Sequence, residues 1–373
     1  MNIKRKILSI LVVMLAIVSM TACQINNKTS EQSEKAEATE KDLAESESTE
    51  IKTSENEKLA QTETSEESES SEIDGQKNIN NTDALRIGAM TGPTGIGVIN
   101  QINSSEDGLS NYPYNLTIVS SPDELVTGIA KKDLDLAIVP ANLASILANK
   151  PEMGIQVLST NNLGVVYVLE RGDSVESLED LQGKEVLSAG KGATPEILVR
   201  NLAAKVELDV DSSISFSKEA SEVAQAMISG NSDIVILPEP MVTNVLLKDD
   251  SVRIAIDLND EWNKLNPDSK LITSVLIGRK EILDTIDVNL LLEDYSNSIE
   301  SANNDPAGTT KVLDGFDIMP FPAEVIEESI PKLNLTAIQG DELKQALNGY
   351  LSILHEQNPE SIGGELPGDD FYR

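Results

Sequence analysis

The sequence predicts an α/β protein made of two similar lobes. Its residues 84–373 alternate short apolar strands with amphipathic helices, which is the pattern of sheets covered by helices. This stretch is longer than the usual single compact domain, and it contains an internal repeat. We therefore expect two sheets, one in each lobe.

The repeat relates residues 123–140 to residues 221–238 at a constant offset of 98, without a gap. In both copies an amphipathic helix is followed by a short polar turn and then by an apolar strand, which ends at Pro140 or Pro238. Upstream, each copy has a further strand that ends in a glycine loop. Parallel strands joined by helices place ligands at their carboxyl ends, so two such lobes facing each other would form a cleft.

The two glycine loops are candidate binding elements. The first contains Gly92, Gly95 and Gly97, and the second contains Gly190 and Gly192. Each loop leads into a helix whose free N–H groups suit a carboxylate, sulfonate or phosphate-like group. Neither loop matches a P-loop or the dinucleotide fingerprint, which disfavours a nucleotide ligand. The alternative is that these glycines only make the turns that every α/β fold needs.

A secretory signal is predicted at residues 1–23. The basic segment Lys4-Arg5-Lys6 precedes an apolar run at 7–20, which would make a helix of about 21 Å, shorter than the roughly 30 Å core of a bilayer. The boundary at Cys23, the only cysteine, resembles a bacterial lipobox. We expect Cys23 to carry a diacylglycerol anchor; the alternative is an incidental cysteine in an ordinary signal peptide.

Residues 24–83 are predicted to form a disordered tether. They are rich in Glu, Ser, Thr and Lys, contain no aromatic residue and hardly any aliphatic one, and so cannot bury enough apolar surface to offset chain entropy. The alternative is a long exposed helix, although the segment has no apolar stripe with which to dock. We expect the tether to hold the folded part away from the membrane.

Composition excludes several functions. With Cys23 as the only cysteine and His355 as the only histidine, a disulfide, a thiolate or histidine metal cluster and a Ser-His-Asp triad have almost no residues to use. A net charge of −34 argues against nucleic acid, whose phosphates require a basic face. We expect no catalytic residue, no metal and no cofactor.

Over the folded part, the sequence resembles the nitrate, taurine and alkanesulfonate class of ABC-transporter solute-binding proteins, which also includes binders of thiamine-pyrimidine precursors. The matching segments occur in the expected order and spacing: the loop Gly92-Pro93-Thr94-Gly95, the strand Asp135-Leu136-Ala137-Ile138-Val139-Pro140, Leu163-Gly164-Val165-Val166-Tyr167, the loop Gly190-Lys191-Gly192-Ala193-Thr194-Pro195-Glu196, and Pro238-Glu239-Pro240.

The resemblance implies a bilobal periplasmic-binding-protein fold of the type II kind, in which two crossover strands join two lobes of parallel or mixed sheet. We place the crossings near residues 169–173 and 274–278. The first lobe would then comprise 84–170 plus 275–373, and the second lobe 171–274.

The predicted ligand-binding residues follow from the loops, the strand ends and the resemblance. They are Gly92, Pro93, Thr94, Gly95, Asn142, Asn162, Gly164, Lys191, Gly192, Ala193, Thr194 and Glu239. The alternatives are ordinary helix capping for the threonines and asparagines and a solvated surface position for Lys191.

The expected function is capture of a small polar solute, such as a sulfonate, nitrate or carboxylate, by an extracytoplasmic lipoprotein of an ABC importer. The partners would be a permease and its ATPase, and the protein would be a monomer anchored on the outer face of the cytoplasmic membrane of a Gram-positive cell. The alternatives are a binder of a thiamine-type pyrimidine precursor and a sensor or adhesion lipoprotein with the same fold. An enzyme on this fold is disfavoured, because the histidine and cysteine pattern of the related pyrimidine synthases does not occur.

Overall fold

The structure is a computed structural model that describes residues 83–192, 194–316 and 318–373. The predicted signal peptide, Cys23 and all of the tether except Asp83 lie outside the described residues.

Ten strands and thirteen α-helices are named in the described part of the chain. The strands are β1 (Leu85–Met90), β2 (Tyr114–Val119), β3 (Leu136–Pro140), β4 (Ile155–Leu163), β5 (Val166–Arg171), β6 (Val186–Ser188), β7 (Ile214–Phe216), β8 (Ile234–Pro238), β9 (Val252–Asp257) and β10 (Ile272–Arg279). The helices are α1 (Ile96–Glu106), α2 (Pro122–Ala130), α3 (Ala141–Ala148), α4 (Thr194–Lys205), α5 (Val210–Ser213), α6 (Ala220–Ile228), α7 (Met241–Leu246), α8 (Leu258–Leu265), α9 (Lys280–Leu283), α10 (Val288–Asn304), α11 (Pro306–Leu313), α12 (Ala323–Ser329) and α13 (Gly340–Gln357). Short 3₁₀ segments are Pro93–Gly95, Pro151–Met153, Leu178–Leu181, Ile330–Lys332, Pro359–Ile362 and Asp369–Phe371.

The strands form two mixed sheets of five strands each. The first sheet has the order β2-β1-β3-β10-β4, and the second has the order β7-β6-β8-β5-β9. In each sheet the first three strands run parallel and the fourth is antiparallel to both of its neighbours. The predicted α/β fold with two mixed-sheet lobes is confirmed.

The internal repeat appears in the structure with its predicted offset. Helix α2 and helix α6 differ by 98 residues at both ends, and so do strands β3 and β8. In each copy the polar turn between helix and strand contains a residue with positive φ, Lys132 at 64° and Gly230 at 72°. The repeat therefore describes one supersecondary unit used twice.

The two crossings between the sheets lie earlier than predicted. Strand β5 belongs to the second sheet, so the chain leaves the first sheet after Leu163 and crosses at Gly164 and Val165. It returns through α8 and enters the first sheet as β10, which begins at Ile272. The predicted crossings near residues 169–173 and 274–278 are wrong, because they fall within paired strands or just after β5. Whether the lobes move as separate bodies stays a prediction.

Buried apolar residues line both sheets, and one aromatic contact connects the second crossing with the first sheet's helices. Trp262 in α8 is 1% exposed, and its ring meets the ring of Tyr350 in α13 edge-on, with a centroid distance of 5.6 Å. The Trp262 indole N–H donates to the Ser269 hydroxyl at 3.3 Å, so burial of the ring leaves its polar atom satisfied. The contact holds α8 against α13, one of the helices of the first sheet.

Candidate functional site

The strand ends of the two sheets form two edges, one on each side of the first crossing. In the first sheet the pairing places Pro140 beside Ser274 and Ser274 beside Asn162. In the second sheet Pro238 pairs with Val166, and the N–H of Ala189, just after β6, donates to the carbonyl oxygen of Ile236 at 2.9 Å, so the second glycine loop begins near the end of β8. The chain passes directly from one edge to the other at the first crossing, and we call the region between the two edges the strand-end cleft.

The first glycine loop begins where β1 ends. Gly92 has a φ of 103°, in the region that favours glycine, and a Cβ there would meet no atom within 4 Å. Its N–H donates to the carbonyl oxygen of Ile318 at 2.7 Å. Gly95 has an ordinary φ of −77°, but a Cβ there would lie 2.8 Å from Cγ2 of Ile318. Gly95 is therefore required for close packing, and the amide of Gly92 is already used inside the protein.

Helix α1 starts directly after this loop without a side chain that caps it. Its N-cap residue is Gly95, which has no side chain to accept from the first turn, and the hydroxyl of Thr94 donates to the carbonyl oxygen of Met90 at 3.0 Å. The first turn contains no acidic residue. The preceding 3₁₀ turn satisfies the N–H of Ile96 with the carbonyl oxygen of Pro93, so this helix end offers its partial positive charge but not that N–H.

The second glycine loop differs, because its own helix supplies an anion. The N–H of Gly192 donates to Oε2 of Glu196 at 2.8 Å, and Nε of Arg200 donates to Oε1 of Glu196 at 2.9 Å. The Gly192 amide hydrogen bond, with a smaller contribution from Arg200, holds the pKa of Glu196 below its ordinary value against the opposing effect of burial. A solute anion at Gly192 would have to displace this carboxylate. The two loops, expected to offer equal cradles, are therefore not equivalent.

The other predicted ligand-binding residues of the second loop are Lys191, Ala193 and Thr194. Lys191 is exposed and its N–H donates to the carbonyl oxygen of Ser217 at 2.9 Å, while Thr194 opens α4 and is half-buried. Ala193 lies outside the described residues. Contact of these residues with a solute stays a prediction.

Two predicted site residues have structural partners that explain them without a ligand. The side-chain N–H of Asn142 donates to the carbonyl oxygen of Ser361 at 3.1 Å, which ties α3 to the C-terminal segment. Gly164 lies at the first crossing, where a Cβ would meet the side chains of Leu271 and Asn259. Its N–H donates to Oδ1 of Asn259 at 3.2 Å, and its carbonyl oxygen accepts from Asn334 at 2.6 Å. The backbone of Gly164 therefore has no polar group left for a solute.

A buried amide cluster stands at the edge of the first sheet, next to the first loop. Asn161, Asn162 and Ser274 are each at most 1% exposed. Asn161 accepts from the hydroxyl of Tyr295 at 2.8 Å and donates to the carbonyl oxygen of Thr94 at 3.4 Å. The sequence pattern predicted Asn162 as a site residue but not Ser274. The signal for Ser274 is the hydroxyl pair Thr273-Ser274, which precedes the apolar part of strand β10.

A buried carboxylate stands at the edge of the second sheet. Glu239 follows β8, is 3% exposed and accepts hydrogen bonds from the N–H of Thr243 at 3.2 Å and from its hydroxyl at 3.0 Å. Burial raises the pKa of Glu239 to about 7, although Thr243 and the charge of Lys332 act in the opposite direction. Sequence reasoning missed Lys332, which comes from the first sheet's side of the molecule and donates to the hydroxyl of Thr243 at 3.3 Å.

The described residues contain no group of three or more His, Cys, Asp and Glu that would hold a metal ion. A surface cavity of about 560 Å³ lies elsewhere, between α13 and the C-terminal segment. Its one lysine, Lys344, is paired with Asp369 at 3.0 Å. The cavity is not lined by any of the predicted site residues that the structure describes. The strand-end cleft is the better candidate site, because the fold brings loops from both sheets to it.

The fold is that of periplasmic binding proteins. An ABC transporter structure from Parabacteroides distasonis is 23% identical, with a TM-score of 0.66, covering 78% of this chain and 98% of that one. The periplasmic aliphatic sulphonate binding protein SsuA from Escherichia coli is 14% identical, with a TM-score of 0.58, covering 76% of this chain and 91% of that one. The periplasmic nitrate-binding protein NrtA from Synechocystis PCC 6803 is 12% identical, with a TM-score of 0.50, covering 77% and 83%.

The chain belongs to the NMT1/THI5-like family, whose model matches residues 114–308. No curated protein matches the sequence. The resemblance to solute-binding proteins is thus confirmed for the family and the fold.

Proposed function

We propose that this protein is the solute-binding component of an ABC importer and captures a small polar solute between its two lobes. The observation that supports the proposal is the pair of strand-end edges joined by the first crossing, with the start of α1, which no side chain caps, at one edge and the buried carboxylate of Glu239 at the other. The solved proteins with this fold include an ABC transporter structure, a sulphonate binder and a nitrate binder, which supports the same role. The role is binding without chemistry of its own.

The solute is small, polar and non-aromatic in this proposal. A pyrimidine, the ligand of the alternative function, would need an aromatic face for stacking. Tyr112, Tyr114 and Tyr167 are buried. Their hydroxyls donate to the carbonyl oxygen of Asp287, the carboxylate of Asp294 and the carbonyl oxygen of Lys332, respectively. Tyr112 and Tyr114 lie in the core of the first sheet, away from its cleft edge. A sulfonate, nitrate or carboxylate group therefore suits the site better than a ring stacked on one of these tyrosines.

The proposed location is the outer face of the cytoplasmic membrane, with Cys23 as the lipid anchor and a permease and its ATPase as partners. This part of the proposal depends on the sequence of residues 1–83. No helix in the part of the chain that the structure describes is long and apolar enough to cross a membrane.

A thermal-shift screen of the full chain tests the proposed function. A solute at 100 times its dissociation constant stabilises the protein by about 2.7 kcal/mol, which corresponds to a rise of about 5 °C in the unfolding midpoint for a chain of this size. The panel comprises nitrate, ethanesulfonate, taurine, simple carboxylates and a thiamine-type aminopyrimidine. Sodium chloride at matched ionic strength controls for a general salt effect. If no small polar solute in the panel raises the midpoint above that control, the proposed function is wrong.

A further inference from the structure

The two lobes are joined by hydrogen bonds as well as by the chain itself, and the side chain of Lys332 makes one of them. Lys332 belongs to the first lobe, because its neighbours Ile330 and Leu333 are buried in the core of the first sheet. Its ammonium group donates to the hydroxyl of Thr243 at 3.3 Å. Thr243 belongs to the second lobe, where it is 1% exposed in α7, a helix whose apolar residues pack in the core of the second sheet. The bond therefore runs from one lobe to the other.

Thr243 extends this contact to the carboxylate of Glu239. The hydroxyl that accepts from Lys332 also donates to Oε1 of Glu239 at 3.0 Å, since a hydroxyl can do both at once. The N–H of Thr243 donates to Oε2 of Glu239 at 3.2 Å. Burial raises the pKa of Glu239, while the hydrogen bonds from Thr243 and the charge of Lys332 lower it. When Glu239 is ionised, the ammonium and the carboxylate thus form an ion pair that one hydroxyl bridges.

The segment that carries Lys332 is held in place at the base of this bridge. The ammonium group also donates to the carbonyl oxygen of Glu328, in α12, at 2.6 Å. The carbonyl oxygen of Lys332 accepts from the hydroxyl of Tyr167, in β5, at 2.8 Å. Two residues later, Asn334 donates to the carbonyl oxygen of Gly164, in the first crossing, at 2.6 Å. The side chain of Lys332 therefore extends from a fixed position beside the crossing.

The far end of the bridge belongs to the cleft edge of the second sheet. Glu239 directly follows β8, and its N–H donates to the carbonyl oxygen of Val165 at 2.9 Å. Close by, helix α12 of the first lobe contacts helix α7 of the second lobe. A hydrogen bond does not persist beyond about 3.6 Å, so even a small rotation that separates the two strand-end edges would break the bond between Lys332 and Thr243.

We propose that Lys332 is a positioning residue, which links the first lobe through Thr243 to Glu239 at the cleft edge of the second lobe and so restrains opening of the cleft. A contact that exists in one arrangement of the lobes and is lost in another shifts the equilibrium toward the first. The restraint acts between the lobes and requires no solute. Its consequence for binding, a smaller free-energy cost of closing on a solute, rests on the proposed function.

The test is the distance between two spin labels in the protein without added solute. Labels at Ser120→Cys and Lys218→Cys, in the full chain with Cys23→Ser, lie just beyond β2 and β7, the strands farthest from the crossings. Lys332→Met keeps most of the aliphatic side chain and removes the ammonium group. We expect this variant to shift the distance distribution measured by pulsed electron resonance to longer values and to broaden it.

A second variant and a control make this result specific. Thr243→Val has nearly the same shape and removes the hydroxyl on the other lobe, so we expect the same shift. The double variant should show no larger shift than either single one, because both substitutions break one bridge. Lys311→Met, at an exposed position of α11 in the first lobe, removes the same charge away from the bridge and should leave the distribution unchanged.

Each outcome decides for or against the restraint. A shift confined to the two bridge variants supports it. An unchanged distribution in Lys332→Met overturns it, and so does a shift in Lys332→Met that Thr243→Val does not reproduce. Equal shifts in Lys332→Met and Lys311→Met would assign the effect to net charge and overturn it as well. Because no solute is added, an overturned restraint leaves the proposed function intact, and a thermal-shift screen without a binder leaves the restraint intact.

Discussion

Replacing Asp135 by Ala is expected to destabilise the protein by about 3–5 kcal/mol, because it removes the buried carboxylate that Arg86 and Arg279 share and leaves the buried Arg279 with only the half-exposed Glu281 as a carboxylate partner. Asp135 is 5% exposed and accepts from Nη2 of Arg279 at 2.7 Å and from two guanidinium nitrogens of Arg86 at 2.7 and 2.9 Å. The side chain of Arg279 is itself only 5% exposed. Denaturant unfolding of the full chain would measure the loss.

The repeat provides a matched control for this variant. Asp233 stands 98 residues after Asp135, but its side chain is 73% exposed and its bond to Arg171 is 3.3 Å long. Exposed ion pairs contribute little, so Asp233→Ala is expected to cost less than about 1 kcal/mol. Equal losses in the two variants would show that burial of the Asp135 cluster does not determine its contribution.

The Asp135 cluster also predicts a dependence on acid. Burial alone would raise the pKa of Asp135, but hydrogen bonds from Arg86 and Arg279 outweigh it and lower the pKa below its ordinary value. A lowered pKa in the folded state means that the stabilisation is present above about pH 4 and is lost as the pH falls through the folded pKa. The difference in stability between the wild type and Asp135→Ala should therefore shrink in strong acid.

The second large effect is the pH dependence of stability that comes from Glu239. Its direction is opposite to that expected for Asp135. Burial raises the pKa of Glu239 to about 7 in the folded protein, against about 4.3 in an unfolded chain, so the folded state binds more protons between these values. Stability should therefore fall as the pH rises from about 4.5 to about 7.5. The expected loss from this one group is about 3 kcal/mol.

Comparison with Glu239→Gln isolates this contribution from the many other carboxylates. The amide can accept from the N–H of Thr243 and donate to its hydroxyl, so its shape and bonds are kept. The variant should match the wild type in stability near pH 4.5 and exceed it by about 3 kcal/mol at pH 8. Glu327→Gln, at an exposed position of α12, serves as the control and should follow the wild type at both pH values. A constant difference between Glu239→Gln and the wild type across this range would contradict the raised pKa.

Local patterns were sufficient to predict most of the fold. Helix α2 and strand β3 recur as α6 and β8 because amphipathic helices and apolar strands are encoded within a few residues of one another. The first crossing was misplaced because the sequence has no charged or strongly polar residue from Leu163 to Leu169, most of the way through β5. Nothing in the local pattern distinguishes a strand of the first sheet from one of the second. Pairing of β5 with β8 and β9 is a long-range property.

The candidate site was less predictable, because side-chain partners decide which backbone groups remain free. The two glycine loops look alike in sequence, yet Glu196 occupies the amide of Gly192 while the start of α1 is uncapped. Gly95 proved to be a packing residue because Ile318, more than 200 positions away, lies against it. Lys332 reaches Thr243 across 89 positions. Such contacts follow from the tertiary fold alone.

The most direct test of the central claim, capture of a solute between the lobes, is a distance across the cleft mouth. Strands β2 and β7 form the ends of their sheets that lie farthest from the crossings, so Ser120 and Lys218, just beyond them, mark the mouth. Spin labels at Ser120→Cys and Lys218→Cys, in the full chain with Cys23→Ser, would report their separation by pulsed electron resonance. Hinge closure predicts that a solute bound to saturation shortens and narrows the distance distribution. An unchanged distribution, with binding of the same solute shown by calorimetry, would contradict capture by closure.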